Sequence, residues 1–416
     1  MSQEDKLKKT FFPSFHSSPF GMIAKPGGSI CNLACDYCYY LEKKELYPSH
    51  THKMSDEVLE AFISQYISSQ PTQTVSFVWQ GGEPCLLGLD FFRRVIVFQQ
   101  KYARGKIIEN SLQTNGTLLN DEWCAFLKKH NFLTGISIDG PAEYHNRFRK
   151  NRAGKPTFRE VIRGVELLKK HEAEFNTLTT VNSHNVNHPL EVYHFLKSIG
   201  SHFMQFLPVV ERVSVEKQDS GLALVPNKYK EEAEVTDFSV DPLKFGKFMT
   251  SIFDEWVRYD VGYYFIQLFD TTLANWVGEQ PGVCMYAASC GHAGTIEFNG
   301  DVYSCDHFVF PDYYLGNILE TSLASLMNST KQQVFGQQKF SDLPKTCLRC
   351  RHYNRCYGEC PKKRFMTTKE GEYGLNYLCE GYQHFFDHVT PYMEYMSKEL
   401  KNERSPANVM HYLRQT

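Results

Sequence analysis

Phe20-Gly-Met-Ile-Ala24 and, one short loop later, Cys31-Asn-Leu-Ala-Cys35-Asp-Tyr-Cys38 open the ordered pattern of this chain. The first run is apolar and of strand length. The second puts three thiols on one loop directly behind it. Five more strand-like runs follow: Thr74–Trp79, Ile107–Gln113, Leu133–Ile138, Asn176–Val181 and Phe203–Leu207. Helical patterns separate most of them. One spans Ser55–Ser69, with Asp56 and Glu57 favouring its N-terminus. Another opens with Thr157-Phe-Arg-Glu160, a capping-box pattern, and a third follows Pro189. Parallel strands need long crossovers, so six strand–helix units predict a parallel sheet. Six falls short of a closed eight-stranded barrel. The expected fold is therefore α/β, a partial (β/α)6 barrel of the TIM type, with ligands at the C-terminal ends of the strands.

Working outward, residues 1–18 read as an N-terminal extension and 19–212 as the barrel. Residues 213–280 read as linker or insertion, with a helix from Asp241-Pro242 to about Asp260. Residues 281–382 form a cysteine-rich, loop-rich domain. Within it Asn299-Gly300 lies between two strand-like runs and predicts a type I′ hairpin. Residues 383–416 read as a helical tail on the surface, interrupted at Ser405-Pro406.

The 416 residues carry a net charge of −2 and no apolar run long enough to span a bilayer, so neither nucleic acid nor membrane is an expected partner. The leading MSQEDKLKKTFFPSFH lacks an apolar signal core, which predicts a cytoplasmic protein. Thiols stay reduced there, so 13 cysteines point to metal or cluster ligation rather than disulfides.

Cys31, Cys35 and Cys38 can hold three irons of a cubane and leave the fourth open; a zinc knuckle is the alternative. Gln80-Gly-Gly-Glu-Pro84 follows the second strand, and its glycines allow close backbone approach. Gln113-Thr-Asn-Gly116 and Ser137-Ile-Asp-Gly140 end the third and fourth strands. They suit either a ribose or amino-acid head group or ordinary turn chemistry. The cysteine spacing, the aromatic Tyr37 before Cys38 and the GGEP stretch together resemble radical S-adenosylmethionine enzymes. The resemblance implies that S-adenosylmethionine chelates the open iron and that one electron releases a 5′-deoxyadenosyl radical. It also implies cofactor contacts from Tyr37, Gly81, Gly82, Glu83, Ser137, Arg149 and Leu207.

Eight further cysteines crowd the C-terminal part, and two four-cysteine sites would suit zinc as well as iron. Their spacing resembles a SPASM domain, which carries two auxiliary 4Fe–4S clusters, making three in all. By that resemblance Cys284, Cys290, Cys305 and Cys360 hold one cluster, and Cys347, Cys350, Cys356 and Cys379 the other. Cys85 and Cys124 remain as buried small hydrophobes.

From about Phe20 to Tyr382 the chain resembles the anaerobic sulfatase-maturating enzymes. This implies oxidation of a Cys or Ser side chain to Cα-formylglycine, with Asp306, next to Cys305, as general base. It further implies an unfolded or nascent sulfatase carrying Cys/Ser-x-Pro/Ala-x-Arg as substrate, a flavodoxin- or ferredoxin-type reductant, and a monomeric enzyme. Two other readings stand beside it. One is another SPASM peptide-modifying enzyme, such as a thioether-forming cyclase. The other is a non-catalytic iron–sulfur electron carrier or zinc-binding module.

Overall fold

The computed structural model describes residues 19–48, 51–216 and 222–415. The N-terminal extension expected over 1–18 lies outside the described residues. Six strands run in sequence order: β1 (Gly21–Lys25), β2 (Thr74–Trp79), β3 (Ile107–Thr114), β4 (Phe132–Ser137), β5 (Phe175–Val181) and β6 (Phe203–Pro208). Each pairs in parallel with the one before it. Strictly sequential order is that of a barrel wall, not of a doubly wound sheet. All six C-terminal ends therefore open on one rim.

The crossover helices form where the periodicity places them. Helix α1 (Asp56–Ser69) starts at Ser55, whose hydroxyl accepts from the Val58 amide. Its buried face, with Phe62 and Tyr66, meets Phe77 and Trp79 of β2 edge-on. The expected capping box at Thr157–Glu160 does not form. Asn146 Oδ1 instead accepts from both the Thr157 and Phe158 amides, and the Thr157 hydroxyl donates to the Arg149 carbonyl at 2.8 Å. A cap from an earlier helix satisfies the first two amides instead and ties this helix start to Arg149.

Beyond β6 the chain does not leave the sheet. Two short strands, β7 (Arg212–Ser214) and β8 (Ala233–Val235), pair in the charged insertion. The stretch expected to be linker also supplies β9 (Phe265–Ile266), which pairs with β6. Strand β10 (Ala293–Glu297) pairs in parallel with β1, with Lys25 beside Glu297, and β11 (Asp301–Tyr303) and β12 (Tyr314–Asn317) follow antiparallel. The cysteine-rich part is thus continuous with the main sheet, a ten-stranded mixed sheet in the described residues.

The β10–β11 turn differs from the type I′ expectation. Glu297 faces Asp301 across a three-residue loop, the Gly300 amide donates to the Glu297 carbonyl, and only Gly300 of the loop has positive φ, at +91°. That is the three-residue hairpin with a left-handed glycine, and Asn-Gly serves it as well as type I′.

The C-terminal helix Cys379–Lys401 is not a surface helix. Phe385, Phe386, Val389, Met393 and Met396 are buried against the helix Pro242–Tyr259. Gly246 and Gly381 let the two approach so closely that a Cβ on Gly246 would stand 2.5 Å from the Gly381 carbonyl oxygen. The chain breaks after Lys401 and turns into a last helix, Asn408–Gln415, near the expected Ser405-Pro406 interruption.

Candidate active site at the rim of the sheet

Lys25 ends β1, and the loop behind it carries Cys31, Cys35 and Cys38. The Cys38 amide donates to the Cys35 carbonyl at 3.0 Å, which folds the three thiols into one turn. They are free of disulfides, and each stands within electrostatic range of at least one other. Burial pushes the Cys31 thiol up to about 11 and Cys35 to about 12. Thiolates so buried need a cation, which cluster iron supplies.

Gly81 and Gly82 press against the chain's own backbone. The Gly82 amide donates to the Gly28 carbonyl and the Glu83 amide to that of Ile30, both at 2.8 Å. The GGEP loop thereby clamps the residues that lead into Cys31. Glu83 is buried and points inward. Its carboxylate accepts from the Cys85 amide, the Thr114 hydroxyl and the Asn115 amide. Burial pushes it up, opposed by those three donors. Asn115 in turn donates to Asn32 at 2.9 Å and reaches the Cys31 sulfur at 3.7 Å.

Tyr37 and Arg149 converge on Asp139, in the Ser137–Gly140 stretch that ends β4. Asp139, fully buried, accepts from the Tyr37 hydroxyl, pairs with Arg149 Nε at 3.0 Å and accepts from the Thr180 amide at 3.0 Å. Arg149 also lies over the Tyr37 ring, 5.5 Å from its centroid. Ser137 Oγ accepts from Gln113 Nε2 at 3.0 Å, and Leu207 is half-buried near the end of β6. Tyr37, Arg149, Ser137 and Leu207 thus sit on the same rim as the three thiols.

The first C-terminal group forms around Cys305. Cys284, Cys290 and Cys360 all lie within electrostatic range of it. Lys339 is buried beside them and donates to the Cys284 and Met285 carbonyls. The second group, Cys347, Cys350, Cys356 and Cys379, lines one small cavity with His352 and Tyr382. Among the described residues, no three His, Cys, Asp or Glu stand as close as a single metal ion needs. All three groups are made of thiols alone, the donor set that iron–sulfur clusters take. Cys85 and Cys124 are buried.

Asp306 faces the first thiol loop across the rim. Its carboxylate pairs with buried Lys25 and accepts from the Tyr39 hydroxyl at 2.6 Å. Burial pushes this carboxyl up. The Lys25 and His307 charges and the Lys25 and Tyr39 hydrogen bonds more than offset that, holding it below the usual carboxylate range. His307 turns the other way, with Nδ1 3.4 Å from the Cys360 sulfur, and burial pushes it down to about 4. Lys25 also lies 4.3 Å from the Tyr40 ring centroid, and the Tyr40 hydroxyl donates to Glu297. Lys25, Tyr39 and Glu297 were not picked out from sequence, and Asp139 only as part of the Ser137–Gly140 stretch. A lysine directly after the apolar run Phe20–Ala24 was the signal the sequence offered for Lys25.

Residues 26–196 match the Radical SAM superfamily and residues 289–351 match SPASM, described as an iron–sulfur cluster-binding domain. The chain is 53% identical to the serine-type anaerobic sulfatase-maturating enzyme of Bacteroides thetaiotaomicron, over 98% of both chains. It is 32% identical to the cysteine-type enzyme of Clostridium perfringens, over 92% of this chain and all of that one. Among solved structures, native anSMEcpe with bound AdoMet and Cp18Cys peptide superposes with a TM-score of 0.80 at 32% identity. That match covers 92% of this chain and all of the other.

Proposed function

Because the chain belongs to the anaerobic sulfatase-maturating enzymes, radical S-adenosylmethionine proteins with an iron–sulfur SPASM domain, we propose that it oxidises a serine side chain of a sulfatase to Cα-formylglycine. Serine is favoured over cysteine because the 53% relative is named serine-type, whereas the cysteine-type relatives stand at 30–32%. The observation that carries the reading is Asp306. It is a half-buried carboxylate, held below the usual carboxylate range, on the rim between the Cys31–Cys38 loop and the Cys305 group.

In this reading Cys31, Cys35 and Cys38 hold the first 4Fe–4S cluster, and the two C-terminal groups of four cysteines each hold an auxiliary one. With S-adenosylmethionine bound, these clusters supply a carbon radical that removes a hydrogen atom from the substrate Cβ and a sink for the electron that leaves. Tyr37, Ser137, Arg149 and Leu207 line the S-adenosylmethionine site, while Gly81, Gly82 and Glu83 shape it by clamping the loop before Cys31. Arg149 suits the carboxylate of that molecule, because a guanidinium offers a planar fork of donors. Asp306 takes the serine hydroxyl proton. The substrate is a sulfatase polypeptide with a Ser-x-Pro-x-Arg or Ser-x-Ala-x-Arg stretch, and the reductant a flavodoxin- or ferredoxin-type protein.

Asp306→Asn tests the assignment. It is nearly isosteric but cannot accept the proton. Formylglycine should fall by about 10²–10⁴-fold, the usual cost of losing a general base, while 5′-deoxyadenosine still forms. A wild-type ratio of the two products would remove Asp306 from the mechanism.

A further inference from the structure

Tyr39 follows Cys38 in the chain, and Asp306 follows Cys305. Their 2.6 Å hydrogen bond therefore joins two cysteine loops that are 267 residues apart. Tyr39 is held from three other sides. Lys362 Nζ stands 4.2 Å from its ring centroid, His307 meets the ring edge-on at 5.8 Å, and Tyr40 packs edge-on at 6.0 Å. Lys362 is itself fixed by an ion pair with buried Glu211. The phenol thus has little freedom to turn. The other carboxylate oxygen of Asp306 belongs to Lys25, which is equally confined on the sheet beside Glu297.

We infer that Tyr39 and Lys25 are positioning residues for the oxidation. Each grips one oxygen of Asp306 and so fixes the plane in which that carboxylate meets the substrate hydroxyl. This rests on Asp306 being the base. A carboxylate gripped at one oxygen only can rotate about its Cβ–Cγ bond, and terminal torsions of this kind are broad. Misplacement of a reacting group by about 1 Å can cost about 10²-fold in rate.

The test is Tyr39→Phe, which keeps the ring, its contact with Lys362 and its packing against His307, and removes only the hydroxyl. Anaerobic reactions with a synthetic Ser-x-Pro-x-Arg peptide should show formylglycine formation reduced by roughly 10- to 100-fold. KM for the peptide, 5′-deoxyadenosine formation and iron content should stay near wild type. Lys25→Met should uncouple the products in the same way, and Lys25→Arg should restore part of the coupling, because it returns a donor to the same oxygen. A purely structural role would lower iron content or both products together, and Arg at position 25 would not rescue. If Asp306→Asn uncouples the products while Tyr39→Phe and Lys25→Met both keep wild-type ratios, the inference is wrong and the base assignment stands. If Asp306→Asn itself keeps the ratio, the base assignment fails and the inference falls with it.

Discussion

Replacing Gly82 with alanine should silence the radical chemistry without touching a ligand. An added Cβ would lie 2.1 Å from the Ile30 carbonyl oxygen, 2.4 Å from its carbon and 2.7 Å from the Ser29 carbonyl carbon. All three are backbone atoms, so no side chain can swing aside. Ordinary contact begins at 3.4 Å, so the backbone before Cys31 must retreat by about 1.3 Å, the difference between 3.4 and 2.1 Å. The retreat strains the bonds from Gly82 to Gly28 and from Glu83 to Ile30 that clamp this segment. A displacement near 1 Å at a reacting centre is worth about 10²-fold in rate. Anaerobic 5′-deoxyadenosine formation should fall by about that factor, with iron content read in parallel. Gly27→Ala is the control, because its Cβ would meet only Leu87 Cγ, at 3.9 Å. A Gly82→Ala enzyme with wild-type iron and wild-type deoxyadenosine formation would refute the clamp.

Two further outcomes follow from the cysteine groups. Cys35→Ala should abolish S-adenosylmethionine cleavage and leave about eight of twelve irons, since the C-terminal groups are separate from it; normal deoxyadenosine production would show that Cys35 is not a ligand. Cys347→Ala should lower formylglycine more than deoxyadenosine, because it disturbs the cavity shared with Cys350, Cys356 and Cys379 and leaves the first loop intact. Unchanged iron and turnover would remove Cys347 from the ligand set.

The six barrel strands were legible because apolar runs and helical spacings alternate, and every boundary fell within one residue of the observed strand. The same local logic missed what depends on distant pairing. Ala293–Glu297 has the look of an isolated hairpin strand. Nothing in its own residues says that it lies along Gly21–Lys25 and so sets Glu297 beside Lys25. Thr157-Phe-Arg-Glu160 satisfied the capping pattern, yet Asn146, from another helix, won the two amides. The tail seemed a surface helix because charged residues are scattered through it, while its buried stripe from Phe385 to Met396 shows only against the helix it covers. At the site, motifs marked the cysteines, the GGEP loop and Asp306. Lys25 and Tyr39 carry no motif and acquire meaning only from the partners that the fold brings to them, and Asp139, within the Ser137–Gly140 stretch, gains its partners Tyr37 and Arg149 the same way.

Oxidation of a sulfatase serine can be read directly. The direct measurement is mass spectrometry of a synthetic Ser-x-Pro-x-Arg peptide after anaerobic incubation with the iron-loaded enzyme, S-adenosylmethionine and a reductant. The expected product is a peptide lighter by two hydrogen atoms, with the aldehyde at the serine position and one 5′-deoxyadenosine formed for each. Deoxyadenosine accumulating while the serine peptide keeps its mass would contradict it.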